Sequence, residues 1–247
     1  MISERSLLEL KVLVTRPEKQ AVNLCALIEQ SAGQAIRFPV INIKSLPVEQ
    51  ATIAAIKQQD FIIFISRNAV AYFSKQMQKN IPTQCRLIAV GAGTADSMKT
   101  AGLRVDLQAF PANSEGLLSL PELAQCQGSK VMIVRGQGGR ELLATTLQAR
   151  GASINYADVY TRLLATPSLA ECQQAAQVDC VVCTSVAGVT NLCLLLPDTV
   201  ASLFSKPLIV VSERIKDFAL SQGFRHVMVT DEVSDQAIVQ QLMKMEL

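Results

Sequence analysis

One feature constrains the fold of this chain more than any other: it resembles itself at a shift of about 120 residues. Lys11–Arg16 (KVLVTR) returns as Lys130–Arg135 (KVMIVR), an offset of 119, each an apolar strand that ends in arginine. Helix-like stretches follow both and stop near Gly33 and Gly151, where glycine supplies the left-handed helix end. New strands then begin at Ile36 and Ile154, an offset of 118. Asp60–Val70 (DFIIFISRNAV) reappears as Asp179–Val189 (DCVVCTSVAGV), with the aspartate, the closing serine and the later valine each displaced by 119. Arg86–Gly102 matches Pro207–Gly223 at an offset of 121. A repeat this long has the period of a domain, which excludes a solenoid of short units.

Each half alternates short apolar strands with helical stretches, the pattern of parallel sheets covered by helices. FIIFI, LIAV, VMIV, CVV and LIVV are continuous apolar runs, as burial on both sheet faces requires. The expectation is an α/β protein made of two related, doubly wound parallel-sheet units. Ser234 and the apolar residues Ala237, Ile238, Leu242 and Met245 predict a closing helix packed on a sheet. No apolar run reaches the roughly 18 residues a membrane span needs. The N-terminal stretch MISERSLLEL lacks the basic and apolar segments of a secretory signal, so a cytoplasmic protein without membrane contact is expected. With 23 basic and 21 acidic side chains a strongly basic nucleic-acid binder is excluded, but a local arginine cluster facing an anion is not.

Seven cysteines, an odd number lying mostly in apolar runs, read as reduced core thiols. Cys180 and Cys183 have CxxC spacing, yet within a strand residues three apart face opposite sides of the sheet. With His226 as the single histidine, a tetrahedral zinc site lacks ligands.

In open α/β sheets ligands sit beyond the carboxyl ends of the strands, where helix N-termini present unpaired N–H groups. The residues expected there are Thr15 and Arg16; Ser66, Arg67 and Asn68; Gly91, Gly93 and Thr94; Arg135, Gly136, Gly138 and Arg140; Thr184 and Ser185; and Ser212 and Arg214. This set is rich in arginine, hydroxyls and glycine and almost free of acids, which suits a ligand carrying several carboxylates or phosphates. Individually each has a structural role open to it: serine and threonine cap helices, and arginine snorkels to solvent. Gly91–Asp96 opens a helix after a strand like a dinucleotide fingerprint, but Asp96 stands where glycine or alanine is needed. Gly136–Arg140 lacks the GK[ST] ending of a phosphate loop. No nucleophile, base and orienting group form a triad, and His226, between a glycine-ended helix and a strand, reads as a surface residue.

Taken in order, these strand-end motifs resemble the uroporphyrinogen-III synthase family. The resemblance spans nearly the whole chain: VLVTRP at 12–17, FPVI at 38–41, SRNAV at 66–70, AVGAGTA at 89–95, SEGLL at 114–118, VRGQGGRELL at 134–143, RGA with the later VY between 150 and 160, TS at 184–185 and SER at 212–214. It implies two α/β domains joined by a two-stranded extended linker: residues 1–37 and 166–247 in a discontinuous domain, 46–155 in the other, and linker strands at 38–45 and 156–165. The repeat by itself leaves open whether the first unit is exchanged between domains or the halves are simply tandem.

The resemblance also implies a reaction: closure of linear hydroxymethylbilane to uroporphyrinogen III, with loss of water and inversion of the last pyrrole ring. An azafulvene and then a spiro intermediate would form, and no cofactor or metal is needed. The substrate carries eight carboxylates, in keeping with the arginine-rich rim, and the linkers would let the domains close on it. Uncatalysed closure gives the unrearranged isomer, so the protein's task is positioning. Tyr160, matching the family's linker tyrosine, is the candidate general acid. Transient contact with the preceding pathway enzyme and a monomeric state are further expectations. The alternative is a two-domain cytosolic protein that binds an anionic small molecule without chemistry.

Overall fold

The computed structural model describes Leu7, residues 10–138 and residues 141–245. It divides into two compact units, residues 1–42 with 163–247 and residues 43–162. Among the described residues the strands are β1 (Lys11–Val14), β2 (Gln34–Arg37), β3 (Ile41–Ser45), β4 (Phe61–Phe64), β5 (Arg86–Ala89), β6 (Leu107–Gln108), β7 (Lys130–Gly136), β8 (Ser153–Leu164), β9 (Cys180–Val182), β10 (Pro207–Val210) and β11 (His226–Val229). One sheet has the order β11-β10-β9-β1-β2 and the other β3-β8-β7-β4-β5-β6. The pairings β1–β2, β1–β9, β9–β10 and β10–β11 are parallel, as are β4–β5, β4–β7, β5–β6 and β7–β8.

Superimposing the repeat on these orders settles what the sequence left open. β1 pairs with β9 and β7 pairs with β4, so the first strand of each repeat lies in the sheet built from the other repeat. The repeated aspartates explain why. Asp60 Oδ2 accepts the Lys130 N–H at 2.8 Å, and Asp179 Oδ2 accepts the Lys11 N–H at 2.8 Å. Each aspartate thus fixes the start of a strand from the opposite repeat.

Period-two alternation distributes each strand between two cores. In the first unit Leu13, Val181, Cys183, Leu208 and Val210 pack under the helices Val186–Leu195 and Glu213–Ser221. On the other face Val12, Val14, Cys180, Val182 and Ile209 meet the helices Glu18–Gln30 and Asp235–Met243. The closing helix forms as expected, with Ser234 Oγ accepting the Ala237 N–H at 3.1 Å. Cys180 and Cys183 fall in opposite cores, and all seven cysteines are free. In the second unit Ile62, Phe64, Leu87, Met132 and Val134 face the helices Arg67–Met77 and Ala92–Thr100, while Ile63, Ile88, Val131 and Ile133 face Leu142–Ala149. Burying each such side chain contributes about 1.5–3 kcal/mol.

The unit boundaries fall at 42/43 and 162/163. The segments expected as connections, 38–45 and 156–165, contain strand: β3 lies beside β8, and Tyr156–Tyr160 run alongside Ile133–Gly136 of β7. The apolar side chains of Ala157 and Val159 hold that stretch in a core, which is why it joins the sheet. No helix among the described residues is long and apolar enough to cross a membrane.

Candidate functional site

The strand orders fix where a ligand crevice should lie. β1 continues to β2 on one side while β9 lies on the other; likewise β7 continues to β8 while β4 lies on its far side. Each reversal is a switch point, and the crevice opens at the carboxyl ends of the two strands that flank it. In the second unit those ends are Ser66 and Arg67 after β4, and Arg135 and Gly136 closing β7.

Tyr160 is brought to this point by an irregularity in pairing. Arg135 lies opposite Asp158 and Gly136 opposite Tyr160, so β8 carries one extra residue, Val159, at the bulge. Bulges re-aim side chains. Here the ring lies against Gly136, where an added Cβ would stand 2.4 Å from Cε2 and 2.6 Å from Cζ of Tyr160. Glycine at 136 is therefore required by close approach. Tyr160 is 1% exposed, and its ring centroid is 5.7 Å from that of Tyr72. Its Oη lies 3.3 Å from Ser66 Oγ and accepts from Arg162 Nη2 at 3.1 Å. Ser66 in turn caps the helix Arg67–Met77 by accepting the Ala69 N–H at 3.1 Å. These contacts draw together Ser66, Gly136 and Tyr160 from the sequence-derived set and add Arg162, which sequence reasoning missed.

Arg135 is placed differently from expectation. It is 8% exposed, donates from Nε to Asp158 at 2.9 Å and from Nη1 to Glu141 at 3.0 Å, and lies over the Tyr156 ring at 3.6 Å. Tyr156 donates to the second oxygen of Glu141 at 2.6 Å. The Tyr156 hydroxyl, then the Arg135 guanidinium, hold the Glu141 carboxyl below its ordinary range. Burial, then the hydrogen bond to Glu141, push the Tyr156 phenol above its own. Elsewhere in this row Arg67 is exposed beside Gly93, Asn68 is half-buried, Thr94 is buried and Gly91 is packed against Ala112. Arg140 lies outside the described residues.

The first unit has the corresponding row. Thr15 Oγ1 donates to the Val182 carbonyl at 2.9 Å and sits 3.2 Å from Cys183 Sγ. Ser185 caps its helix by accepting the Gly188 N–H at 3.0 Å, with half-buried Thr184 before it. Ser212 precedes the helix Glu213–Ser221 without a side-chain cap bond, and Arg214 is exposed. Arg16 is paired: its Nη1 meets Asp235 Oδ1 at 2.5 Å, while Asn23 donates to the other oxygen at 2.6 Å. The expectation of a row almost free of acids is thus corrected. Glu141, six residues beyond Arg135, and the more distant Asp158 and Asp235 reach it and occupy two of its arginines. His226 is exposed on β11, at a sheet edge.

A family model described as uroporphyrinogen-III synthase HemD matches residues 23–240. The chain belongs to the uroporphyrinogen-III synthase family. Among curated relatives, the uroporphyrinogen-III synthase of Escherichia coli is 32% identical over 245 residues, covering 94% of this chain and 100% of that protein. That of Salmonella typhimurium is 31% identical over 247 residues, with 94% and 100% covered. The fold is shared with the crystal structure of uroporphyrinogen-III synthetase from Helicobacter pylori, at a TM-score of 0.66 and 16% identity over 96% of this chain and 100% of that one. A mutant uroporphyrinogen III synthase from Thermus thermophilus gives 0.62 at 16% identity, with the same coverage.

Proposed function

We propose that the protein closes hydroxymethylbilane to uroporphyrinogen III, losing water and inverting the last pyrrole ring, with Tyr160 as the source of the proton that assists departure of the hydroxyl. The observation that carries this reading is the Tyr160 hydroxyl, bonded to Ser66 and Arg162 at the switch point between β7 and β4, in a chain of this family. Loss of the hydroxyl leaves an electrophilic azafulvene. Attack by the substituted carbon of the last ring gives a spiro intermediate, which fragments and recloses with that ring inverted. The electrons come from the pyrroles, so no cofactor or metal enters.

Exposed Arg67 and Arg214, with the hydroxyls and helix N-termini of both rows, bind the carboxylates of the substrate and select one folding of it. Arg16 and Arg135, already held by acids, shape the rows and carry less of the binding. Residues 38–45 and 156–165 act as the connections between the functional domains. The protein acts in the cytoplasm as a monomer, without nucleic acid or membrane, and receives its unstable substrate through transient contact with the enzyme that makes it.

The test is to generate hydroxymethylbilane in the presence of the purified protein, oxidise the macrocycle and separate the isomers chromatographically. Predominant isomer III without added cofactor is expected. Isomer I alone at the spontaneous rate would overturn the proposal and leave binding of an anionic small molecule as the activity.

A further inference from the structure

A proton source at Tyr160 meets a geometric obstacle. The side chain is 1% exposed, so its hydroxyl is not itself presented to a substrate. Two groups lead from it toward solvent: half-buried Ser66, with Oγ at 3.3 Å, and exposed Arg162, with Nη2 at 3.1 Å. A guanidinium has donors only, so Oη accepts from Arg162, while within the Tyr160–Ser66 pair either hydroxyl is able to donate to the other. Ser66 Oγ already accepts the Ala69 N–H, and in the orientation in which Tyr160 donates, the phenol hydrogen fills its second lone pair. The serine hydrogen is then left to point away from both.

We propose that Ser66, Tyr160 and Arg162 form a relay in which Ser66 meets the leaving hydroxyl, Tyr160 resupplies the proton from behind, and Arg162 is the positioning residue that neutralises the phenolate. This deepens the reading of Tyr160 given above and rests on it. The serine hydroxyl protonates the substrate hydroxyl as its carbon–oxygen bond breaks, and water leaves with the bonding pair. Tyr160 reprotonates Ser66 and becomes a phenolate beside the Arg162 cation. The proton released from the ring carbon on closure returns through Ser66 to the phenolate. One water is lost, and nothing is oxidised or reduced.

The test compares kcat and KM for isomer III formation in Tyr160→Phe, Ser66→Ala, Ser66→Asn, Arg162→Gln, Arg162→Lys and the double variant Tyr160→Phe/Arg162→Gln. Ser66→Asn keeps a side chain able to cap the helix, so a loss in both serine variants is not a loss of folding. Removal of Ser66 should lower kcat roughly 10²-fold and Arg162→Gln roughly 10-fold, with KM changed less than about twofold. Arg162→Lys should restore most of the loss. The double variant should be no slower than Tyr160→Phe alone, because members of one unit are not additive. Normal kcat in both serine variants, with Tyr160→Phe impaired, would overturn the relay while leaving Tyr160 as a direct acid. A raised KM in Arg162→Gln that adds to the Tyr160→Phe effect would overturn it by making Arg162 a carboxylate binder. Unchanged kcat in Tyr160→Phe would instead overturn the assignment of Tyr160 itself.

Discussion

Gly136→Ala would place a methyl carbon 2.4 Å from Cε2 and 2.6 Å from Cζ of Tyr160. Ordinary contact begins near 3.4 Å, so the ring must retreat by about 1 Å or β7 must move by as much. The ring is 1% exposed and packed on Tyr72, and a rigid aromatic cannot fold away as the tip of a lysine could. Overpacking of this kind costs about 1–3 kcal/mol. For a chain of this length that corresponds to a fall in Tm of roughly 2–12 °C. The same displacement stretches the 3.3 Å contact to Ser66 and the 3.1 Å contact to Arg162 beyond hydrogen-bond reach. A misplacement of about 1 Å is able to lower turnover about 10²-fold. The assay is isomer III formation at a temperature where the variant is fully folded, alongside its thermal melt. In a Tyr160→Ala background the added methyl has room, so its effect on Tm should almost vanish. An unchanged melt and unchanged isomer III turnover in the single variant would refute the argument that glycine at 136 is there for Tyr160.

The remaining predictions are simpler. Tyr160→Phe should lower kcat much more than it raises KM; unchanged turnover in steady-state kinetics would remove it as the acid. Arg67→Ala/Arg214→Ala should weaken substrate binding, with the difference from wild type shrinking as salt rises, whereas normal affinity would place both arginines outside the site. Arg16→Ala should act on stability, lowering the melt by the equivalent of about 1–3 kcal/mol, because it removes the charged partner of a part-buried Asp235 and leaves that carboxylate its bond to Asn23; a normal melt would show the pair to be idle. Burial pushes the Cys180 and Cys183 thiols from an ordinary 9.0 up to about 12, so unfolded thiols lose protons that the folded ones keep. Stability should therefore fall as pH rises from about 9 toward about 12, and a thiol reagent at pH 8 should leave both residues unmodified until the chain unfolds. Labelling of either in the native protein would contradict their burial.

The strands and their two-sided burial were legible because apolar runs and turn glycines are local signals. The partner of each strand was not. KVLVTR and KVMIVR are nearly interchangeable as buried parallel strands, so nothing within either run distinguishes β4 from β9 as its neighbour. In hindsight the lysine that opens each run and the repeated aspartate contained a hint, since Asp60 and Asp179 fasten those lysines' N–H groups crosswise. At the site, Ser66, Gly136 and Tyr160 stood out as a strand-end hydroxyl, a glycine and a motif tyrosine. Arg162 did not, because an exposed arginine two residues beyond a strand's last buried position reads as a solvated side chain. The pairing of Arg16 was equally hidden, since Asp235 lies 219 residues away and no local pattern connects them.

The crosswise placement of β1 and β7 sets a problem of timing during synthesis. β4 emerges from the ribosome when β1 has already been made and β7 has not. Translation at about 5–20 residues per second puts roughly 3.5–14 s between the emergence of Phe61 in β4 and that of Val131, its partner in β7, 70 residues later. Throughout that interval the position beside β4 is open to a near copy of its true neighbour. Residues 43–162 can close as a unit once Arg162 has emerged, but the edge of β1 opposite β2 must still be open when β9 arrives many residues later. Slowing elongation between residues 64 and 130 should thus lower the yield of correctly folded protein, because it lengthens the time in which β1 can occupy the place that belongs to β7.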